Sequence, residues 1–251
     1  MSKLIKIYGE RNTNTNYLSQ LIGLNLKAEE IPGVVPARIM ALQRRLPGNE
    51  LVRDLYFFLN YGQTLGSKHT CVKPAAVLSR RAVMRSHEVC FVTLTKNPYS
   101  WLLSLHRNPY HQRYVGKPDF ETFLRTPWRT LRRENTAKVL RSPIELWNLK
   151  NAAYLQLASL DALNLTSESL IEDPEAVIDR ISRQFSIDRR SARFVNYERS
   201  TKRETGKDHG YYQDYYRNER WRNEISAEAI AIINECIDQK LMVRFGFAVL
   251  S

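Results

Sequence analysis

The chain is expected to fold as an α/β protein with a central, mainly parallel sheet flanked by helices, and three stretches carry that expectation. Lys3 to Leu21 and Glu88 to Leu105 each read as a strand, a tight loop and a helix. DPEAVIDRISRQF opens a helix at Pro174 and sets Val177, Ile178, Ile181 and Phe185 on one face, as a helix returning across a parallel sheet requires. With 251 residues the chain can bury a full core, and a single domain over residues 1–251 is expected.

In the first unit Leu4, Ile5 and Ile7 form a strand-type run, and Leu18, Leu21 and Ile22 repeat at helical spacing after Tyr17. Between them, GERNTNTN offers hydroxyls, amides and backbone N–H groups at a helix N-terminus, where aligned peptide dipoles favour an anion. An ordinary loop whose Asn and Thr cap a helix accounts for the same residues. Pro32, Gly33, Pro36, Pro47 and Gly48 punctuate an excursion around a helix near Arg38 to Arg45. Leu51 to Leu59 is apolar and aromatic and leads to a turn at Gly62 to Gly66. A short strand is expected at Ser67 to Val72 and a helix from Ala75 to Arg85.

Glu88 to Thr95, EVCFVTLT, is β-branched, aromatic and nearly uncharged, as a strand buried on both faces should be. It ends at KNPY, and Pro98 opens a helix carrying Trp101, Ser104 and Leu105. The polar, basic stretch Gly116 to Ser142 is expected to form a loop and a helix on one surface, with Arg129, Arg132 and Arg133 on a solvated face. Pro143 to Leu160 reads as one long helix with Leu146, Leu149, Ala153, Leu157 and Leu160 inward, and Leu163 to Leu170 as a weaker strand. Tyr211, Tyr212, Tyr215, Tyr216 and Trp221 are spaced to pack a helix onto the core. A helix over Ser226 to Phe245 closes the chain, with Ile230, Ile233, Ile237 and Leu241 inside.

Lys and Arg number 38 against 26 Asp and Glu, a net +12, which favours an anionic partner: a nucleotide, a sulfated or phosphorylated substrate, nucleic acid or anionic lipid. Cys71, Cys90 and Cys236 are odd in number and widely spaced beside apolar runs, so buried free thiols are expected and no metal-ligand spacing stands out. The N-terminus has no signal-like apolar region and no run of apolar residues is long enough to span a bilayer, so a cytoplasmic protein without transmembrane segments is expected. GERNTNTN lacks the Gly-Lys-Ser/Thr ending of a P-loop and with it the hydroxyl for magnesium, which disfavours a nucleoside triphosphatase or a small-molecule kinase.

Lys96 stands at the carboxyl end of a strand and Ser104 lies eight residues on, in the following helix. Ligands of open α/β sheets bind at such strand ends. GERNTNTNYL and TLTKNPYSWLLSLHR together resemble the sulfotransferases that use 3'-phosphoadenosine 5'-phosphosulfate (PAPS). SESLIEDPEAVIDRISRQF and STKRETG extend the resemblance, and the four blocks stand in the family's order across most of the chain. The resemblance implies a three-layer, P-loop-like fold and a nucleotide-binding transferase that needs no metal. PAPS would be its donor and adenosine 3',5'-bisphosphate its product.

Carried over by position, Asn12, Thr13, Asn14, Thr15 and Asn16 match the loop that wraps the 5'-phosphosulfate, and Lys96 and Ser104 match the pair that holds the 3'-phosphate. Lys202 and Arg203, with Gly206, match the basic loop that closes over the 3'-phosphate and adenosine. The chain departs from the family in four places, one of them Ser167, where a Tyr is often found. Lys96 replaces the commoner Arg, Asn14 stands where glycine is usual, and Asn12 stands where a loop cation is usual, with Arg11 one place earlier.

Sulfuryl transfer needs a placed nucleophile, a base, and positive charge on the oxygen that leaves. Arg11 is the first candidate for that charge and Lys68 the second. His69 is the candidate base and Glu10 its rival. The acceptor, a small molecule, carbohydrate or lipid bearing a hydroxyl or amine, would meet the loops of residues 33–66 and 110–141. A basic nucleic-acid-binding protein is the alternative from another class, disfavoured because the charge is spread along the chain.

Overall fold

A computed structural model describes residues 3–46, 50–112, 116–197 and 209–251, with His209 described by its backbone alone. The chain is an α/β protein, as its sequence predicts. The central sheet holds Leu4–Gly9 (β1), Glu29–Glu30 (β2), Val89–Thr95 (β3) and Ala162–Thr166 (β6), all parallel, in the spatial order β2-β1-β3-β6. Trp128–Arg129 (β4) and Val139–Leu140 (β5) form a separate antiparallel pair.

Ahead of β3 come α1 (Thr15–Asn25), α2 (Ala37–Arg45), α3 (Leu51–Leu59), α4 (Tyr61–Thr64), α5 (Ala75–Leu78) and α6 (Ala82–Ser86). Between β3 and β6 lie α7 (Pro98–Arg107), α8 (Phe120–Arg125) and α9 (Pro143–Leu155). After β6 come α10 (Ser167–Glu172), α11 (Pro174–Phe185), α12 (His209–Arg217), α13 (Ala227–Cys236) and α14 (Gln239–Arg244). Among the described residues no helix is long and apolar enough to cross a membrane.

The period-two alternation of β1 sorts its side chains into two layers. Ile5 and Ile7 pack with Leu18, Leu21 and Ile22 of α1 and Ile178 and Ile181 of α11. Tyr8 points the other way, into Phe91, Leu65, Tyr154 and Leu157. Burial of each large aliphatic or aromatic side chain contributes about 1.5–3 kcal/mol, so these layers hold the sheet edge on which the site is built. A further apolar cluster joins Trp101, Phe123, Trp128 and Trp147 to Ile233 of α13. Lys6 shares the Tyr8 side of the sheet and is wholly buried. Its Nζ donates to the carbonyls of Pro32 (3.2 Å) and Gly66 (2.8 Å), tying the excursion after β2 to the sheet. Burial lowers its pKa to about 7.

Several elements differ from expectation, each for a local reason. Residues 67–72 form no strand. The amide of Gly9 donates to Lys68 O, but Thr70 N turns back to Ser67 O and Cys71 N goes to Glu134 O, so no ladder develops. The helix expected from Ala75 to Arg85 is two short helices, parted where Arg81 is extended and its amide bonds Leu78 O. The strand expected through Leu170 stops at Thr166, whose hydroxyl accepts from Ser169 N and starts α10. The C-terminal helix is broken by Asp238, whose carboxylate caps α14 through Leu241 N. The helix from Pro143 gives way at Gln156 to a 3-10 turn over Gln156–Ser159. Cys90 is buried, but Cys71 is partly exposed and Cys236 exposed. Arg133 is not on a solvated face either: its side chain is 4% exposed and pairs with Glu50 (2.7 Å) and Asp54 (2.8 Å).

Candidate active site

Strand register brings the functional loops together. Gly9 lies opposite Leu94 and Thr95 opposite Thr166, so β1, β3 and β6 end at one edge and the loops that follow them meet there. In the loop after β1, Asn12 (φ 65°) and Asn14 (φ 63°) are both left-handed, a conformation Asn tolerates better than most residues. Asn14 thus holds a left-handed backbone of the kind glycine adopts most readily. Thr13 Oγ1 donates to Glu10 O (2.6 Å) and Trp101 Nε1 to Arg11 O (2.9 Å), which fixes the loop from within and from α7. The Asn14 amide donates to Ser167 Oγ (2.8 Å) and does not cap α1. The first-turn N–H groups of α1 are left without that partner, and the helix dipole adds positive potential there.

Gly9 is forced by the same geometry. A Cβ there would stand 2.5 Å from Thr15 Cγ2, 2.8 Å from Leu94 O and 2.9 Å from Thr13 Oγ1. The Leu94 carbonyl belongs to the sheet and cannot move aside. Gly9→Ala should therefore cost about 1–3 kcal/mol of stability, read as a lowered denaturant midpoint.

A cleft of about 250 Å³ opens at this edge, lined by Arg11, Asn12, Asn14, Thr15, Asn16 and His69 together with Asn108 and Tyr110. Thr13 is buried beside it. Lys68 sits behind Asn16 and donates to its Oδ1, and burial lowers the lysine's pKa. The Arg11 guanidinium lies 4.1 Å from the Tyr110 ring centroid, its Nη2 is 3.2 Å from His111 Nε2, and its Nε is buried without a hydrogen-bond partner among the described residues.

His69 Nδ1 lies 2.6 Å from Gly9 O. A carbonyl can only accept, so Nδ1 carries the hydrogen and Nε2 keeps its lone pair. Burial lowers the His69 pKa to about 3; Glu10 opposes this, and Arg11 and Lys68 add to it. The ring is neutral at ordinary pH.

Glu10 does not line the cleft. Its carboxylate pairs with the fully buried Lys150 (2.7 Å) and accepts from Arg11 N (2.6 Å) and from the Tyr110 hydroxyl (3.0 Å). Burial pushes the Glu10 pKa up, but the charge and hydrogen bond of Lys150, with the Arg11 amide, outweigh it and hold the carboxyl below its ordinary value. Lys150 also donates to His69 O and stands 3.8 Å from Glu134. Burial raises Glu134 to about 7 against the pull of Lys150.

At the end of β3, Lys96 is buried, and its Nζ donates to Ser104 Oγ (2.9 Å) and to the Tyr216 hydroxyl (2.7 Å). The Lys96 carbonyl accepts from Trp147 Nε1 (2.9 Å), and the next amide, Asn97 N, donates to Glu168 (3.0 Å). Burial lowers the Lys96 pKa to about 8, with Glu168 opposing.

The structure thus gathers Arg11 to Asn16, Lys68 and His69 at one end of the edge and pairs Lys96 with Ser104 at the other. Lys202 and Arg203 lie outside the described residues. Lys150, Glu134 and Tyr110 are contacts that sequence reasoning did not single out, and Tyr216, expected only to pack a helix onto the core, bonds Lys96 through its hydroxyl. No protein-family model matches the chain, and no curated protein matches it. Among solved structures it is similar to a sulfotransferase domain from the curacin biosynthetic pathway, at 10% identity and a TM-score of 0.44, over 100% of this chain and 99% of that one.

Proposed function

We propose that this chain is a sulfotransferase that moves a sulfuryl group from PAPS to a hydroxyl or amine of a small-molecule, carbohydrate or lipid acceptor. One observation carries this: the β1–β3 register sets the uncapped start of α1 at the same sheet edge as the buried Lys96–Ser104 pair. Two such places at one edge suit a ligand with two anionic ends, and the four sequence blocks support the same reading. The residues fit such a ligand. Arg11 Nε is a buried donor without a partner among the described residues, and the left-handed Asn12 and Asn14 shape a loop that can turn backbone N–H groups on an anion. Lys96 already bonds Tyr216, so a 3'-phosphate would share or displace that hydroxyl.

PAPS supplies the sulfuryl group, and its sulfur–oxygen bond to the 5'-phosphate breaks as the acceptor atom bonds to sulfur. Here Nε2 of His69 takes the acceptor's proton, and Arg11, with Lys68 behind Asn16, balances the charge on the oxygen that leaves with adenosine 3',5'-bisphosphate. Glu10 is assigned a positioning role, because its oxygens are engaged by Lys150, Tyr110 and the Arg11 amide.

Titration calorimetry with adenosine 3',5'-bisphosphate tests the assignment. Lys96→Met should weaken binding at least about tenfold and Ser104→Ala about three- to tenfold. An anion favours charged Lys96, whose pKa in the free protein is lowered to about 8, so affinity should fall as pH rises through that value. No heat from the folded chain would sink the assignment. Steeply salt-dependent oligonucleotide binding with no preference for the bisphosphate would point to a nucleic-acid-binding protein.

A further inference from the structure

Helices α2 and α3 turn a large apolar surface to solvent. Leu55, Phe58 and Leu59 recur at helical spacing on α3, with Phe58 78% and Leu59 69% exposed, while Leu42 and Leu46 project from the α2 end. The two helices pack against each other, so these exposed apolar side chains stand on neighbouring helices, and apolar side chains exposed in such number mark an interaction surface. A groove of about 390 Å³ runs beside α3, and Lys73 and Arg132 line it.

The charges on α2 beside the patch are all basic. Arg38, Arg44 and Arg45 are exposed on α2 and, among the described residues, join no ion pair. The acidic groups of the same region, Glu50 and Asp54, are taken up by Arg53 and Arg133. Against a second copy of this chain, a two-fold contact through the patch would set arginines against arginines. Against an anionic bilayer the guanidiniums meet lipid phosphates while the leucines and Phe58 enter the headgroup region, the arrangement of a helix that lies on a membrane without spanning it.

We propose that the α2–α3 face docks the protein on an anionic lipid surface, independently of the chemistry of the cleft. The full chain is sedimented with phosphatidylcholine vesicles that contain or lack phosphatidylglycerol, alongside Phe58→Ser/Leu59→Ser and Arg44→Gln/Arg45→Gln variants whose thermal melting is checked against wild type. The wild type should sediment with the phosphatidylglycerol vesicles and release at high salt. The apolar double variant should bind about tenfold or more weakly, and loss of each arginine should weaken binding about fivefold. Failure of the wild type to sediment would overturn the proposal, as would unchanged binding by folded variants. A dimer seen by light scattering that Phe58→Ser dissociates, with no vesicle binding, would assign the face to a second copy instead.

Discussion

Replacing His69 with Asn should lower turnover by about two to four orders of magnitude and leave affinity for adenosine 3',5'-bisphosphate within about twofold. Asn is the informative substitution because its side-chain amide can donate to Gly9 O as Nδ1 does now, keeping the cleft wall while deleting the Nε2 lone pair. The pH dependence adds a second readout. The His69 pKa is lowered to about 3, so kcat/KM should hold on the acid side well below the ordinary histidine value of about 6.5. Arg11 and Lys68 contribute to that lowering, and a bound polyanion would neutralise them. The base is then stronger in the complex than in the free protein, and kcat should fall at a higher pH than kcat/KM. If His69→Asn kept turnover within about tenfold of wild type, the base would lie elsewhere, and Glu10→Gln would be the next variant to assay.

The parts of the site that follow strands were legible in the sequence. β1 and β3 are buried on both faces, so they read as short apolar runs, and the residues just after them had to stand at a sheet edge. What supports the site was not legible, because its partners come from far along the chain. Tyr110 and Tyr216 reach Glu10 and Lys96 across 100 and 120 residues. The edge strand β2 is two glutamates, whose composition carries no strand signal. His69, expected on a strand, sits in an irregular segment, yet the bonds from Gly9 N to Lys68 O and from His69 Nδ1 to Gly9 O bring it to the same place. The clearest misreading is on α9. Leu149 was expected inside and is 38% exposed, whereas Lys150 is fully buried. Leu146, Lys150, Ala153 and Leu157 keep a 4-3-4 helical spacing, so the stripe itself held the signal, and the lysine's charge hid it.

Lys150→Met should cost about 3–5 kcal/mol of stability, the usual consequence of removing one partner from a buried ion pair. Methionine can fill the aliphatic stem but leaves Glu10 buried with no countercharge and strips the amine from His69 O. The sign of the pH effect separates charge from packing. In the wild type Glu10 has a folded pKa below its ordinary value, so the pair contributes stability above about pH 4.3, and that contribution is lost as pH falls through the lowered value. Without Lys150 burial acts unopposed by the amine and raises both Glu10 and Glu134. Raised carboxyls favour the fold only while protonated, so the variant loses stability as pH rises above about 4.3. The gap in denaturant midpoint between wild type and variant should thus be wide at about pH 7.5 and narrow at about pH 5. Adding Glu10→Gln to the variant removes the stranded charge and should recover part of the loss at about pH 7.5. An equal loss at both pH values, with no recovery in the double variant, would make Lys150 a packing residue. In that case the carboxylate, the lysine and the His69 carbonyl would not act as the single electrostatic support that fixes the wall of the cleft.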